Sequence, residues 1–371
     1  MPLPSLFQHP SLKPRTLLWV VLTLALAAFG GSLFAFAGMP AGWLSGALVA
    51  TAIAALMGAP VAMDSNIRMA TYVVLGTSMG SALTPDTLAG ITTWPVTMIV
   101  LIISVPVMMG AVILYLEKVA GWDRRSAFFA AAPGALSAVL VMAETSGADT
   151  RRVVFGQSLR LFVLVALLPA AIGGLGHQPS GTLPMYPVVP DLLSFCLSIG
   201  AGIVGAFLAE RFRFPGGAMV GAMLASGAMH AFGLIEGQLP DLFLIVGFVV
   251  LGANTGSRFA GTRLETLKSF FLDALVGLLI ATAVALAFAV LGAWLSGEPL
   301  AKVVVAYVPG ALEAMTIMAF VLGFDPAFVA AHHLTRFLGL ALLMPLVARL
   351  LFGAAVMPSE KMPIDETEPK D

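Results

Sequence analysis

Long apolar stretches separated by short polar hinges set the rhythm of this chain. Twelve can be marked: residues 16–37, 41–59, 67–83, 91–116, 125–144 and 150–174, then 189–209, 215–233, 241–258, 267–295, 299–321 and 326–355. Several, clearest at 16–37, 91–116, 192–208, 274–295 and 337–356, approach or exceed the roughly 18–20 apolar residues that cross a bilayer. They are too long for barrel strands and do not alternate apolar with polar positions. Backbone polar groups in lipid must then be satisfied within each segment. The pattern predicts an all-α membrane protein, a polytopic helical bundle of about 10–12 transmembrane segments. The longest polar hinge, at 175–188, is rich in Pro and Gly and reads as a linker. The acidic, proline-containing tail at 357–371 reads as disordered.

The punctuation recurs. Residues 133–160 read PGALSAVLVMAETSGADTRRVVFGQSLR, and residues 309–336 read PGALEAMTIMAFVLGFDPAFVAAHHLTR. The register is gapless at an offset of 176 (309 − 133, and likewise 325 − 149 and 336 − 160). Pro133/Pro309, Gly134/Gly310, Asp149/Asp325 and Arg160/Arg336 are identical pairs. VVLGTSMGS (73–81) matches VVLGANTGS (249–257) at the same offset, and PAGWLSGALVA (40–50) matches PGGAMVGAMLA (215–225) one residue short of it. A fixed internal period of half the chain is a duplication, with a first membrane repeat at 1–174 and a second at 189–356.

Charge refines this picture more than it changes it. The chain is 59% hydrophobic and 11% charged with a mean hydropathy of +0.98, against about 25% charged residues in soluble domains. A net charge of −1 gives no footing for nucleic acid. The single cysteine, Cys196, excludes an internal disulfide. Lys118, Arg124 and Arg125 sit between the fourth and fifth segments of the first half. In the second half the basic residues instead follow the first segment (Arg211, Arg213) and the third (Arg258, Arg263, Lys268). The positive-inside rule is better satisfied if the halves are inverted, which requires one broken or re-entrant segment in each. The fifth segments, carrying the PGA motifs, and the short Gly/Ala-rich second segments both qualify. Arg151 and Arg152 favour the fifth, because re-entry there puts them on the side of Arg124.

The doubled PGAL…GxD…R signature, with PxGxxxGA and VVLGxxxG ahead of it, resembles the bacterial membrane family defined by the AbrB duplication domain. Ala135 and Ala311 stand where that family usually has a second glycine after the proline. Its members carry labels such as ammonia monooxygenase or AbrB-type transcriptional regulator. The early segments are also distantly similar to those of cation/proton antiporters and related inverted-repeat carriers. Neither label finds chemistry in the residues. Copper oxidation of ammonia needs clustered ligands, and of His9, His177, His230, His332 and His333 only the last two are close, pointing about 100° apart on a helix. No metal site is expected. No helix-turn-helix, P-loop, dinucleotide fingerprint or nucleophile elbow is present, so neither a cofactor nor enzymatic activity is expected.

Ionisable and polar residues inside apolar stretches are the remaining functional candidates. Glu313 directly follows the second PGAL and is the expected proton acceptor. Arg160 and Arg336 suit an anionic solute, or equally a carboxylate partner within the bundle. Gln157 and His333 precede them by three residues and share their helical faces. Asn254 lies between two motif glycines. Pro133, Gly134, Pro309 and Gly310 form the helix breaks, whose half-helix N-termini favour negative charge. Asp149 and Asp325 are expected as N-caps. The resulting expectation is a secondary transporter in the bacterial plasma membrane. It would move a small anionic solute, with protons, by alternating access between two repeat-related bundles. The alternative is a membrane-embedded regulator that senses a ligand and affects gene expression indirectly. The expected partners are the lipid bilayer, the solute and protons, and not nucleic acid.

Overall fold

The structure, a computed structural model of the chain, describes residues 14–39, 41–81, 92, 94–133, 136–174, 192–214, 216–235, 237, 239–261 and 264–352. The linker expected at 175–188, the tail at 357–371 and Gly134 lie outside the described residues. Among those described there are fourteen α-helices and no strand. The first half holds α1 (Pro14–Phe36), α2 (Gly42–Leu56), α3 (Ser65–Gly80), α4 (Trp94–Lys118), α5 (Arg124–Ala131), α6 (Leu136–Ser146) and α7 (Thr150–Gly174). The second holds α8 (Leu192–Arg211), α9 (Gly217–Ala231), α10 (Asp241–Gly256), α11 (Leu264–Ser296), α12 (Leu300–Tyr307), α13 (Leu312–Val321) and α14 (Pro326–Phe352). Seven are long and apolar enough to cross a membrane: α1, α4, α7, α8, α10 with its 3-10 extension, α11 and α14. Phe36, Trp294, Leu342 and Leu350 stand exposed on the outside, a surface suited to lipid and costly in water. The chain is a polytopic helical membrane protein.

Local signals account for the boundaries. Asp64 caps α3, its Oδ1 accepting the Asn66 and Ile67 amides at 2.8 and 3.1 Å. Asp123 caps α5 through the Ser126 amide at 2.9 Å. Pro169 in α7 and Pro345 in α14 stay within their helices, as membrane helices allow when neighbours satisfy the freed carbonyls.

The halves do not fold side by side. α2 packs on α10 and α9 packs on α3, while α1 and α8 flank them. α4 packs against α11, and the short helices with α7 and α14 gather around that pair. The result is one six-helix bundle (α1–α3 with α8–α10) and one eight-helix bundle (α4–α7 with α11–α14), each drawing on both halves. The cause is legible in the repeated VVLGxxxG motif. A Cβ added at Gly76 would lie 2.2 Å from the Met219 carbonyl oxygen of α9, and one at Gly252 would lie 2.6 Å from that of Leu44 in α2. The glycines press each motif helix onto the backbone of the other half.

The second segments, α2 and α9, are unbroken helices. The fifth segments carry the break, as α5 with α6 and α12 with α13. Arg125, at the start of α5, donates from Nη1 to the Ser146 carbonyl at the end of α6 at 2.6 Å. The Asp149 amide, just beyond α6, donates to Ser126 Oγ at 2.7 Å. The α5–α6 unit therefore returns to the side it entered from. In the second half Lys302, on α12, holds its Nζ 4.3 Å from the Phe328 ring at the start of α14, which closes the α12–α13 hairpin in the same way.

Candidate functional site

The tips of the two hairpins are where backbone polar groups lose their helical partners, and the chain supplies them from the next long helix. Val308 is extended (φ −54, ψ 144), as the ring of the following Pro309 requires. Pro309 donates nothing, so carbonyls at the end of α12 are left over. Arg336 of α14, 4% exposed, collects them. Its Nη1 donates to Val308 O at 2.9 Å and Tyr307 O at 3.3 Å, and its Nη2 to Gly310 O at 2.8 Å. His333, one turn earlier, bonds Val305 O from Nε2 at 3.1 Å and meets Arg336 Nη2 at Nδ1 at 2.7 Å. Because the carbonyl and the guanidinium fix opposite roles for the two ring nitrogens, His333 is the neutral tautomer with its proton on Nε2.

Among the described residues the first half repeats the arrangement with fewer bonds. Gln157 Nε2 donates to Phe129 O at 3.1 Å, and Arg160 Nη2 to Ala132 O at 3.2 Å. These acceptors are the symmetry positions of Val305 and Val308. Arg160 Nε is buried without a hydrogen-bond partner. Among the described residues no carboxylate lies within ion-pair distance of either arginine. The pairs Gln157/Arg160 and His333/Arg336 thus meet the hairpin tips, with Pro133, Pro309 and Gly310.

Glu313 is elsewhere on the tip. It occupies the first turn of α13, half-buried, and α13 packs on α3 of the other bundle. Ala311, at the N-cap, makes no side-chain bond to that turn, so its amides keep a positive end beside the carboxylate. Asn254 is buried in α10 between the glycines facing α2, away from the arginines' hydrogen bonds. Asp149 Oδ1 accepts the Arg151 amide at 3.0 Å, and Asp325 Oδ1 accepts the Ala327 amide at 2.9 Å. Burial raises the pKa of Asp325 above the ordinary carboxylate value, partly opposed by the Ala327 amide.

Sequence reasoning missed two features. Ser78, the symmetry mate of Asn254, has a buried Oγ without a partner; its register in the doubled motif was the available signal. Thr97 was invisible, being one hydroxyl in an apolar run. Its backbone carbonyl accepts the Tyr307 hydroxyl, and its Oγ1 lies 2.8 Å from His332 Nε2. His332 therefore faces α4 while His333 faces α12. Among the described residues no three His, Cys, Asp or Glu side chains come together as a metal site.

Residues 43–352 match the model of a family described as "Transition state regulatory protein AbrB". The chain belongs to the AbrB family. It is 27% identical over 328 residues to an Escherichia coli (strain K12) protein named for a regulator, AbrB, covering 84% of this chain and 90% of that one. It is also 27% identical over 373 residues to the uncharacterized protein YhjN of Bacillus subtilis (strain 168), covering 91% and 94%. The doubled hairpin described above thus lies within the matched region of this AbrB-family chain.

Proposed function

We propose that this AbrB-family protein is a secondary carrier of a small anionic solute, working by alternating access in the bacterial plasma membrane, with no enzymatic activity of its own. The observation that carries the reading is the pair of re-entrant hairpins, each braced by a buried guanidinium that no neighbouring carboxylate neutralises. A buried cation without a counter-charge is costly, and an anionic solute entering between the hairpins relieves that cost. Discontinuous helices meeting at a central site are a recurring device of secondary transporters.

Topology supports it. In this reading each half makes five crossings and one hairpin, with the 15- and 16-residue helices α2, α3 and α9 crossing as well, so that the second half lies upside down relative to the first. Threading the chain this way places Arg68, Lys118, Arg124, Arg125, Arg151, Arg152, Arg211, Arg213, Arg258 and Arg349 on one face, the cytoplasmic one by the positive-inside rule. Lys302 falls on the other, and its charge is met by Glu298 at 2.9 Å. The moving parts are then the six-helix and eight-helix bundles, which touch through few helix pairs. Glu313 sits at that seam and is the proton acceptor in this reading. A carboxylate at a seam that opens to alternate sides can load and release a proton.

The test is Glu313→Gln in proteoliposomes, following solute exchange and proton-driven uptake together. Exchange should persist and uphill uptake should be lost; unchanged behaviour in both assays would remove Glu313 from coupling. The regulator in the name of the Escherichia coli relative favours a second reading, a membrane sensor. That reading predicts ligand-dependent capture of a soluble partner with no flux at all.

A further inference from the structure

The two hairpins share a pair of backbone bonds, to Phe129 O and Ala132 O in one and to Val305 O and Val308 O in the other, but differ in what surrounds their arginines. In the second half the space between α12, α14 and α4 is plugged. Tyr307 reaches across to the Thr97 carbonyl, and His332 reaches Thr97 Oγ1 at 2.8 Å. At the corresponding positions in the first half, offset by the same 176 residues, stand Ala131 and Gly156. Removing a phenol and an imidazole from one copy of a repeated packing leaves room, and the structure has a cavity of about 30 Å³ there. Val112, Trp122, Ala131, Gly156 and Gly277 help line it, from α4, α5, α7, α11 and the turn before α5, and its single charged wall is Arg160. Arg160 is 6% exposed, and its Nε has no partner.

We propose that this first-half cavity is the seat of one small monovalent anion, no larger than formate, ion-paired to Arg160. The volume sets the size. A water-sized group needs at least roughly 10–15 Å³ of such space, so about two to three fit, which suits a halide or a carboxylate of three heavy atoms and excludes a dicarboxylate. The donor sets the charge. Arg160 lines the cavity with no carboxylate within ion-pair distance among the described residues, and an anion offsets the desolvation of its guanidinium. Asp273, beside Ala274 of the lining, does not serve. Its Oδ2 accepts the Trp122 indole N–H at 2.9 Å, and it makes no ion pair with Arg160. Among the described residues the second half has no such seat, because Tyr307 and His332 occupy it and Arg336 is held by three backbone carbonyls and His333. The binding claim deepens the transport reading, and rests on it only in making the bound anion cargo.

The experiment uses the full chain in nanodiscs equilibrated in sodium gluconate, titrated with sodium chloride or sodium formate, and reads the thermal midpoint. A saturable rise is expected with either, and none with succinate. Ala131→Tyr, which restores the second-half plug, should weaken the apparent affinity by roughly tenfold or more, and Arg160→Gln should abolish the response. Gly156→Ala guards against misfolding: its Cβ meets only the Ala130 Cβ at 3.9 Å, yet it narrows the cavity and should also weaken the response. The proposal is overturned if the unmodified protein shows no saturable shift, as when water satisfies Nε. It is equally overturned if every salt acts alike, or if the filled variants respond unchanged. Binding without any anion flux in liposomes would sink the transport reading and leave this one standing. Flux that ignores Ala131→Tyr would do the reverse.

Discussion

Arg336→Lys and Arg160→Lys are the same substitution at symmetry-related positions, and the structure assigns them different costs. Arg336 makes four hydrogen bonds from two nitrogens: Tyr307 O and Val308 O at 3.3 and 2.9 Å from Nη1, and Gly310 O and His333 Nδ1 at 2.8 and 2.7 Å from Nη2. A lysine ammonium is a single point donor, so it can serve one of these pairs and not the other. Two buried acceptors are then stranded, each worth about 1.5–3 kcal/mol when bonded to a charged group, for a loss of about 3–6 kcal/mol. Among the described residues Arg160 makes one such bond, to Ala132 O at 3.2 Å, which an ammonium can keep; the expected loss of that bond is about 1 kcal/mol or less. The assay is equilibrium unfolding in mixed micelles, with both variants and the parent measured in the same detergent series. Arg336→Lys should unfold at clearly lower denaturant, with Arg160→Lys close to the parent. If the two variants lose the same stability, or Arg160→Lys loses more, the backbone-bracing role given to Arg336 is refuted.

Three further outcomes are expected. Single cysteines at positions 124 and 302, introduced after replacing Cys196, should react with an impermeant thiol reagent from opposite faces; labelling of both from one face refutes inversion. Asp325→Asn should raise the thermal midpoint at neutral pH, because the raised pKa of Asp325 means that its ionised form costs the folded state stability, while Asn caps α14 equally well. That cost is absent below the ordinary carboxylate pKa of about 3.9 and grows as pH rises through the raised value, so the advantage of Asn should vanish on acidification; an advantage constant with pH contradicts the assignment. Gly252→Leu forces a side chain against the Leu44 carbonyl, 2.6 Å from the nearest Cβ position, and should cost about 3 kcal/mol or more and most of the folded yield; normal yield would show that the two halves are not locked together there.

The sequence by itself determined the class and the grammar. Apolar length declared a helical membrane protein, since lipid leaves the backbone no other partner than its own helix. The Pro-Gly pair made the fifth segment one of two candidates for the break, Arg151 and Arg152 favoured it, and the 176-residue offset paired Arg160 with Arg336 and Gln157 with His333. What only the tertiary structure decided was which groups those residues meet. Whether a buried arginine grips a solute, a carboxylate or a backbone carbonyl depends on the path of a hairpin some twenty-eight residues away. No local pattern encodes that distance. The interlacing of the halves was likewise hidden, because a glycine motif announces close approach without naming the helix that approaches. The inequality of the two arginines is the clearest case. Ala131 and Gly156 are unremarked small residues in the sequence, and they matter only because the fold sets them where its other half puts Tyr307 and His332.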